Sequence, residues 1–153
     1  MTNQTVTQRY FDDISVGDSF EETKTTTTPQ VVAFVNANGL PNGGGRFTDP
    51  VAAKALGLAK PIVPGPMSAS MLTRVVTDWM GPLGRILSID VSFRRPVQHD
   101  DVLRYVALVT DVNGDGDFAG TGSGAVHLDV TLANDRGETP VQGTAVVELP
   151  RRS

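Results

Sequence analysis

The apolar positions along the chain change period once, near Gly81. Before it, Met67, Met71, Leu72, Val75, Val76, Trp79 and Met80 recur at offsets of four, one, three, one, three and one, which is one stripe of an α-helix. Pro64, Gly65 and Pro66 form a stiff entry to this segment and Gly81-Pro82 ends it, so a central, most buried helix is predicted over about 66–80. Its methionines and Trp79 are read as core filling, because apolar helical spacing alone accounts for them. Two shorter helices precede it. Thr28 followed by Pro29 is a start signal, a hydroxyl to cap exposed amides and then a ring that fits the first turn. Val31, Val32, Phe34 and Val35 give that helix its apolar face, and it is expected to end near Gly39. Asp49-Pro50 repeats the device and opens "VAAKALGL", stopped by Gly57 or soon after. The intervening "LPNGGGR" reads as a loop.

After Gly81 the period becomes two. "ILSIDVSF" from Ile86, "VLRYVALV" from Val102, "AVHLDVTLA" from Ala125 and "VQGTAVVEL" from Val141 all alternate, and Val126, Leu128, Val130 and Leu132 share a face. "NDRGE" reads as a hairpin turn, and "DSFEETKT" supplies a strand ahead of the helices. A strand, a long helix and then several antiparallel strands imply an α+β domain whose antiparallel sheet wraps around the helix, the arrangement called a hot-dog fold. A chain of 153 residues is long enough to bury roughly two thirds of its unfolded surface, so one domain over 1–153 is expected.

Composition acts mainly by exclusion. Apolar and charged fractions of 39% and 20% are ordinary for a globular protein. A net charge of -4 argues against nucleic-acid binding, which depends on lysine and arginine neutralising phosphates. The pairs Arg94-Arg95 and Arg151-Arg152 read as solvated surface charge, with local anion sites as the other reading. The absence of cysteine removes disulfides and thiolate chemistry and fits a reducing cytoplasm. "MTNQTVTQRYFDD" has neither a secretion signal's apolar core nor a membrane-crossing run of about twenty apolar residues, so a cytoplasmic protein with no membrane partner is expected. In "DVNGDGDFAGTGSG", Asp111, Asn113, Asp115 and Gly116 match the opening of a calcium loop, but Gly122 stands where a bidentate glutamate is needed and strands flank it. The segment reads as a glycine-rich connection. His99 and His127 lack metal-ligand spacing, and His127 falls on the solvent side of its strand. No metal and no cofactor are expected.

The order of motifs "YFDDISVGDSF", "TTTTPQVVAFVNANG", "FTDPVAAKALG", "PIVPGPM" and "SFRRPVQHDDVL" resembles the MaoC-like hydratases and dehydratases, hot-dog proteins acting on acyl thioesters, from about Tyr10 to the last strand. The resemblance implies an acyl-CoA or acyl-carrier thioester as ligand and the chemistry of the family's G-D-x-N-P-x-H-x-D pattern. There an aspartate and a histidine hold a water for addition across the enoyl double bond, while amides at the start of the central helix polarise the thioester carbonyl.

Against that pattern the chain departs at the two proton-moving positions. Gly39 and Asn42 match, but Leu40 stands for the aspartate and Phe47 for the histidine, and the segment between is lengthened by Gly43, Gly44, Gly45 and Arg46. Neither leucine nor phenylalanine moves a proton, so no catalytic residue is assigned. Asn42, Arg46, Gly65 and Met67 are the substrate-binding candidates. Pro66 donates no hydrogen bond, which shifts the amide role to Met67 or Ser68. Arg46 is a poor acid near neutrality and Asp49 serves as a helix cap. The resemblance leaves three readings: a non-catalytic subunit pairing with an active hot-dog partner, or forming a homodimer; an (R)-specific enoyl-CoA hydratase or 3-hydroxyacyl dehydratase with altered catalytic residues; and a thioesterase-like hot dog using Asp49.

Overall fold

The computed structural model describes residues 7–153, apart from the side chain of Asn42. Five strands, β1 (Ser19–Thr25), β2 (Arg85–Phe93), β3 (Val102–Asn113), β4 (Ser123–Ala133) and β5 (Val141–Pro150), form an antiparallel sheet in the order β1-β3-β4-β5-β2. The helices α1 (Thr28–Ala37), α2 (Pro50–Ala55) and α3 (Gly65–Met80) all fall between β1 and β2 in the chain. This is the hot-dog arrangement, with α3 as the central helix, one residue longer at its start than the 66–80 stripe.

Alternation sets the core. Val126, Leu128, Val130 and Leu132 of β4 are all buried, while His127 between them is half-buried. They face Leu72, Val75 and Val76 of α3 in one cluster that also holds Leu103, Tyr105, Val147 and Leu149. Burying each such aliphatic side chain contributes about 1.5–3 kcal/mol, which is why helix and sheet cannot be separated cheaply. Phe20 and Trp79 stack with centroids 4.7 Å apart, fastening β1 to the last turn of α3. Gly143 of β5 lies opposite Val91, and a methyl group there would fall on the carbonyl oxygen of Asp90. Glycine is what allows the two strands to pair at that point.

Local details depart from the sequence reading in three places. The cap of α1 is Thr27, not Thr28: its hydroxyl accepts from the Gln30 amide and its own amide donates to Gln30 Oε1 at 2.9 Å. Among consecutive threonines, Thr27 is the one with a glutamine three residues on, so it alone closes this reciprocal pair. Thr28 becomes the first helical residue and turns its hydroxyl to His99 Nδ1, 3.0 Å away. "LPNGGGR" is not open loop, because Pro41–Phe47 winds into a 3-10 helix. In β2 a register shift between Ile86 and Ser88 breaks the alternation and leaves Leu87 43% exposed.

Candidate functional site

Three short stretches are drawn together at the start of α3. Val63 donates its amide to the Val97 carbonyl at 2.7 Å, Ile62 bridges Gln98, and the Ile62 amide reaches the Arg46 carbonyl at 3.2 Å. The chain leaving β2 is held from its other side by Arg94, whose amide donates to Pro140 at 2.7 Å. Between the 3-10 helix, the entry to α3 and the Phe93–Val97 segment lies a cavity of about 420 Å³. Its apolar wall includes Phe47, Ile62, Val63 and Phe93, and its cations are Arg46, Arg94 and Arg95. The residues lining it include no aspartate, glutamate or histidine.

The first turn of α3 has few amides to offer. Pro66 has none, and those of Met67 and Ser68 already donate to the Pro64 carbonyl at 3.0 and 3.2 Å. The Gly65 amide has no acceptor among the described residues. Phe93 packs against the other side of Gly65, where an added Cβ would sit 3.4 Å from the ring. Ser68, almost fully buried, lines the cavity three residues further on.

Of the residues singled out from sequence, Arg46, Phe47 and Gly65 meet in this cavity. Arg46 also lies over the Phe47 ring, 4.7 Å from its centroid, so the two form one cationic-aromatic wall. Leu40 instead packs against the hydrophobic core, and Met67, 8% exposed, belongs to the core rather than the cavity. Its side chain is packed inward and its amide donates to the Pro64 carbonyl. The side chain of Asn42 lies outside the described residues. Asp49 caps α2, accepting from the Val51 amide at 2.9 Å, and takes no part in the cavity.

Ser68 was only an amide candidate in the sequence, and Phe93 no candidate at all. The signals were a hydroxyl three residues after Gly65 and an aromatic side chain at the end of a strand. Arg94 and Arg95 are exposed, as surface charge should be, and they also line the cavity because β2 ends beside α3.

Neighbouring polar groups make contacts within the fold. His99 is buried with its Nδ1 at Thr28 and its Nε2 without a partner among the described residues, and it does not reach the cavity. Asp101, also buried, accepts from Arg136 Nη1 and Nη2 at 2.7 and 3.1 Å and from the Gln98 amide at 3.1 Å. Burial pushes its carboxyl up, but the Arg136 guanidinium and the Gln98 amide outweigh that and hold it below the usual carboxylate range. This anchor fixes the turn that follows Val97, and so one wall of the cavity. Burial also pushes the Tyr105 phenol up.

The comparisons with known proteins agree with this architecture. An (R)-hydratase from A. caviae involved in PHA biosynthesis superposes with a TM-score of 0.77 at 25% identity, over 90% of this chain and 98% of that one. The ChsH1-ChsH2 complex from Mycobacterium tuberculosis gives 0.71 at 27% identity, over the same 90% and 98%. A MaoC-like dehydratase from Rhodospirillum rubrum gives 0.78 at 21% identity, over 95% and 99%, a likeness of fold. No curated protein sequence matches the chain. The family profile described as MaoC like domain matches residues 47–134, more than half of the sequence, from the cavity wall at Phe47 through β4. With the central helix, the sheet order and that match in agreement, the chain belongs to the MaoC-like domain family of hydratases and dehydratases.

Proposed function

We propose that the chain is a non-catalytic, acyl-thioester-binding MaoC-like subunit that works beside an active hot-dog partner. The observation that carries this reading is the cavity at the start of α3, which has apolar walls and guanidinium groups but no carboxylate or imidazole among its lining residues. Adding water to an enoyl thioester requires one group to take a proton and another to give one. Arginine stays charged at neutral pH and does neither well. By the motif resemblance Leu40 and Phe47 replace the family's acid-base pair; Leu40 packs against the core and Phe47 lines the cavity wall. A free edge supports a partner: among the described strands β2 pairs only with β5, leaving its outer edge open with Leu87 and Phe93 exposed at 43% and 52%. The similar ChsH1-ChsH2 structure is itself a complex of two proteins.

The second reading, an active (R)-specific hydratase or dehydratase, is favoured by the likeness to the A. caviae (R)-hydratase. A single assay separates the two. Purified alone and given enoyl thioesters of short, medium and steroid size, the chain should hydrate none above background. It should co-purify with a hot-dog protein encoded beside it that carries the missing aspartate and histidine. Turnover by the isolated chain at ordinary enzyme rates would end the non-catalytic reading.

A further inference from the structure

We infer that Arg151 and Arg152 form an ionic clasp that holds the segment Thr7–Ile14 closed as a strap over the last turn of α3, so that charge rather than core packing decides whether Trp79 and that end of the helix are covered. The strap starts at the helix end. Gln8 donates its side-chain amide to the Met80 carbonyl at 2.9 Å and accepts from the Leu83 amide at 2.7 Å, while the Arg9 amide reaches the Met80 carbonyl at 3.3 Å. The bonds to Met80 satisfy a carbonyl that the helix leaves open at its C-terminus. The strap finishes at the clasp. Asp13 accepts from Arg152 Nε and Nη2 at 3.0 and 2.6 Å, and Asp12 accepts from the Arg152 amide at 2.7 Å and from Arg151 Nη1 at 3.3 Å. The two guanidinium groups also lie over the rings of Phe11 and Tyr10, 4.7 and 4.6 Å from their centroids. An isolated exposed ion pair contributes little, but guanidinium forks joined in a network are the arrangement in which such pairs count.

Burial separates this strap from the rest of the fold. No residue of the 3-10 turn Phe11–Asp13 is buried, and Thr7, Arg9, Asp12 and Asp13 are exposed. A segment held by exposed hydrogen bonds, with few buried apolar groups, opens at a free energy well below that of global unfolding. Phe11 sets its closed position: the ring seats on Gly124, where an added Cβ would fall 2.5 Å from it. Beneath the strap lies a hollow of about 330 Å³ lined by Gln8, Ile14, Phe20, Trp79 and Arg152, so opening uncovers the Phe20–Trp79 stack. The trigger is salt, or a polyion that competes for Asp12, Asp13, Arg151 and Arg152. The cavity beside Gly65 stands at the other end of this 16-residue helix, about 22 Å away, and is untouched by the opening.

Trp79 is the only tryptophan in the sequence, so quenching of its emission by neutral acrylamide reads the strap in the full chain. At low salt, R151Q with R152Q should raise the quenching constant two-fold or more and speed amide exchange at Arg9 and Leu83 ten-fold or more, while the amides of β4 and β5 keep their protection. Sodium chloride at about 1 M should do the same to the wild type and add nothing to the double variant, because screening then acts within about 3 Å. D13R with R152D exchanges the two charges and should restore the closed state. Quenching and exchange that respond neither to neutralisation nor to salt would overturn the clasp. A strap that stays open after the charge exchange would overturn it as well, since shape rather than charge would then hold it. Loss of protection spreading into β4 and β5, or failure of R151Q with R152Q to fold, would make these contacts part of the global fold and end the inference.

Discussion

Asp101 ties the turn behind the cavity to the β4–β5 connection, and replacing it by asparagine keeps the shape while removing the charge. The carboxylate accepts two hydrogen bonds from Arg136 and one from the Gln98 amide, and its side chain is 5% exposed. Hydrogen bonds to a charged group are worth about 1.5–3 kcal/mol each, but Arg136 is 42% exposed and solvent screens its share. Asparagine can keep the bond from Gln98, so D101N should cost about 2 kcal/mol at neutral pH. For a domain of this size that lowers the melting temperature by about 4–8 °C. The pH dependence is the sharper part. The folded carboxyl lies below its unfolded value near 4, so its contribution is complete above that value and is lost as pH falls through the folded pKa. Urea melts of wild type and D101N should therefore differ fully at pH 7 and converge below about pH 4. A stability gap that stays the same from pH 7 to pH 3 would refute the charge-based account and leave only a packing effect.

Further changes probe other joints of the fold. Asp100 adopts a φ of 65°, a left-handed conformation that glycine reaches without strain, while its amide donates to the Thr26 carbonyl. D100G should thus stabilise the chain, or at worst be neutral, by up to about 1 kcal/mol in a chemical melt. G143A, which places a methyl on the Asp90 carbonyl, should break the β2–β5 pairing and abolish soluble expression or cost more than about 3 kcal/mol. L72A should cost about 3 kcal/mol by thermal or urea unfolding, since Leu72 is 1% exposed between α3 and the sheet. T27A should cost about 1 kcal/mol and T28A should leave the α1 cap intact, a contrast that amide exchange at Gln30 would resolve.

The sequence made the architecture legible because each element carried its own period. The stripe from Met67 to Met80 and the β4 alternation from Val126 to Leu132 specify their structures without reference to anything distant. What failed to show was the set of contacts made between remote segments. Arg94 and Arg95 are exposed, as their reading as surface charge expects, but nothing near them in sequence reveals that they also line the cavity, that Pro140 fixes their backbone or that β2 ends against Gly65. Met67 follows the Pro64–Pro66 entry, and its place on the helical stripe turns its side chain into the core. The Thr27 cap was readable in principle from Gln30 three residues later, a signal outweighed by the more conspicuous Thr28-Pro29 pair.

The three glycines bear on whether the stretch around Leu40 and Phe47 is a decayed catalytic loop or a built wall. A run of glycines in an eroding loop would be expected to remain loose. Here Gly43, Gly44 and Gly45 all take positive φ values, of 62°, 94° and 50°, inside a 3-10 helix that other residues would strain to form. Gly44 is buried, and a Cβ on it would come within 2.7 Å of Val35 Cγ1 and 3.0 Å of the Thr48 hydroxyl. Thr48 in turn donates its hydroxyl to the Gly43 carbonyl. The insertion is therefore packed against α1 through the one residue type that fits, and this packing helps settle Leu40 on the core and stand Arg46 and Phe47 at the cavity. It follows that L40D with F47H would place a carboxylate against apolar neighbours rather than opposite the new imidazole, so the double change should destabilise the fold without producing hydration. G44A should loosen the same wall, lowering both stability and thioester affinity. Unchanged affinity in a folded G44A variant would show that the glycine run is not what shapes the cavity.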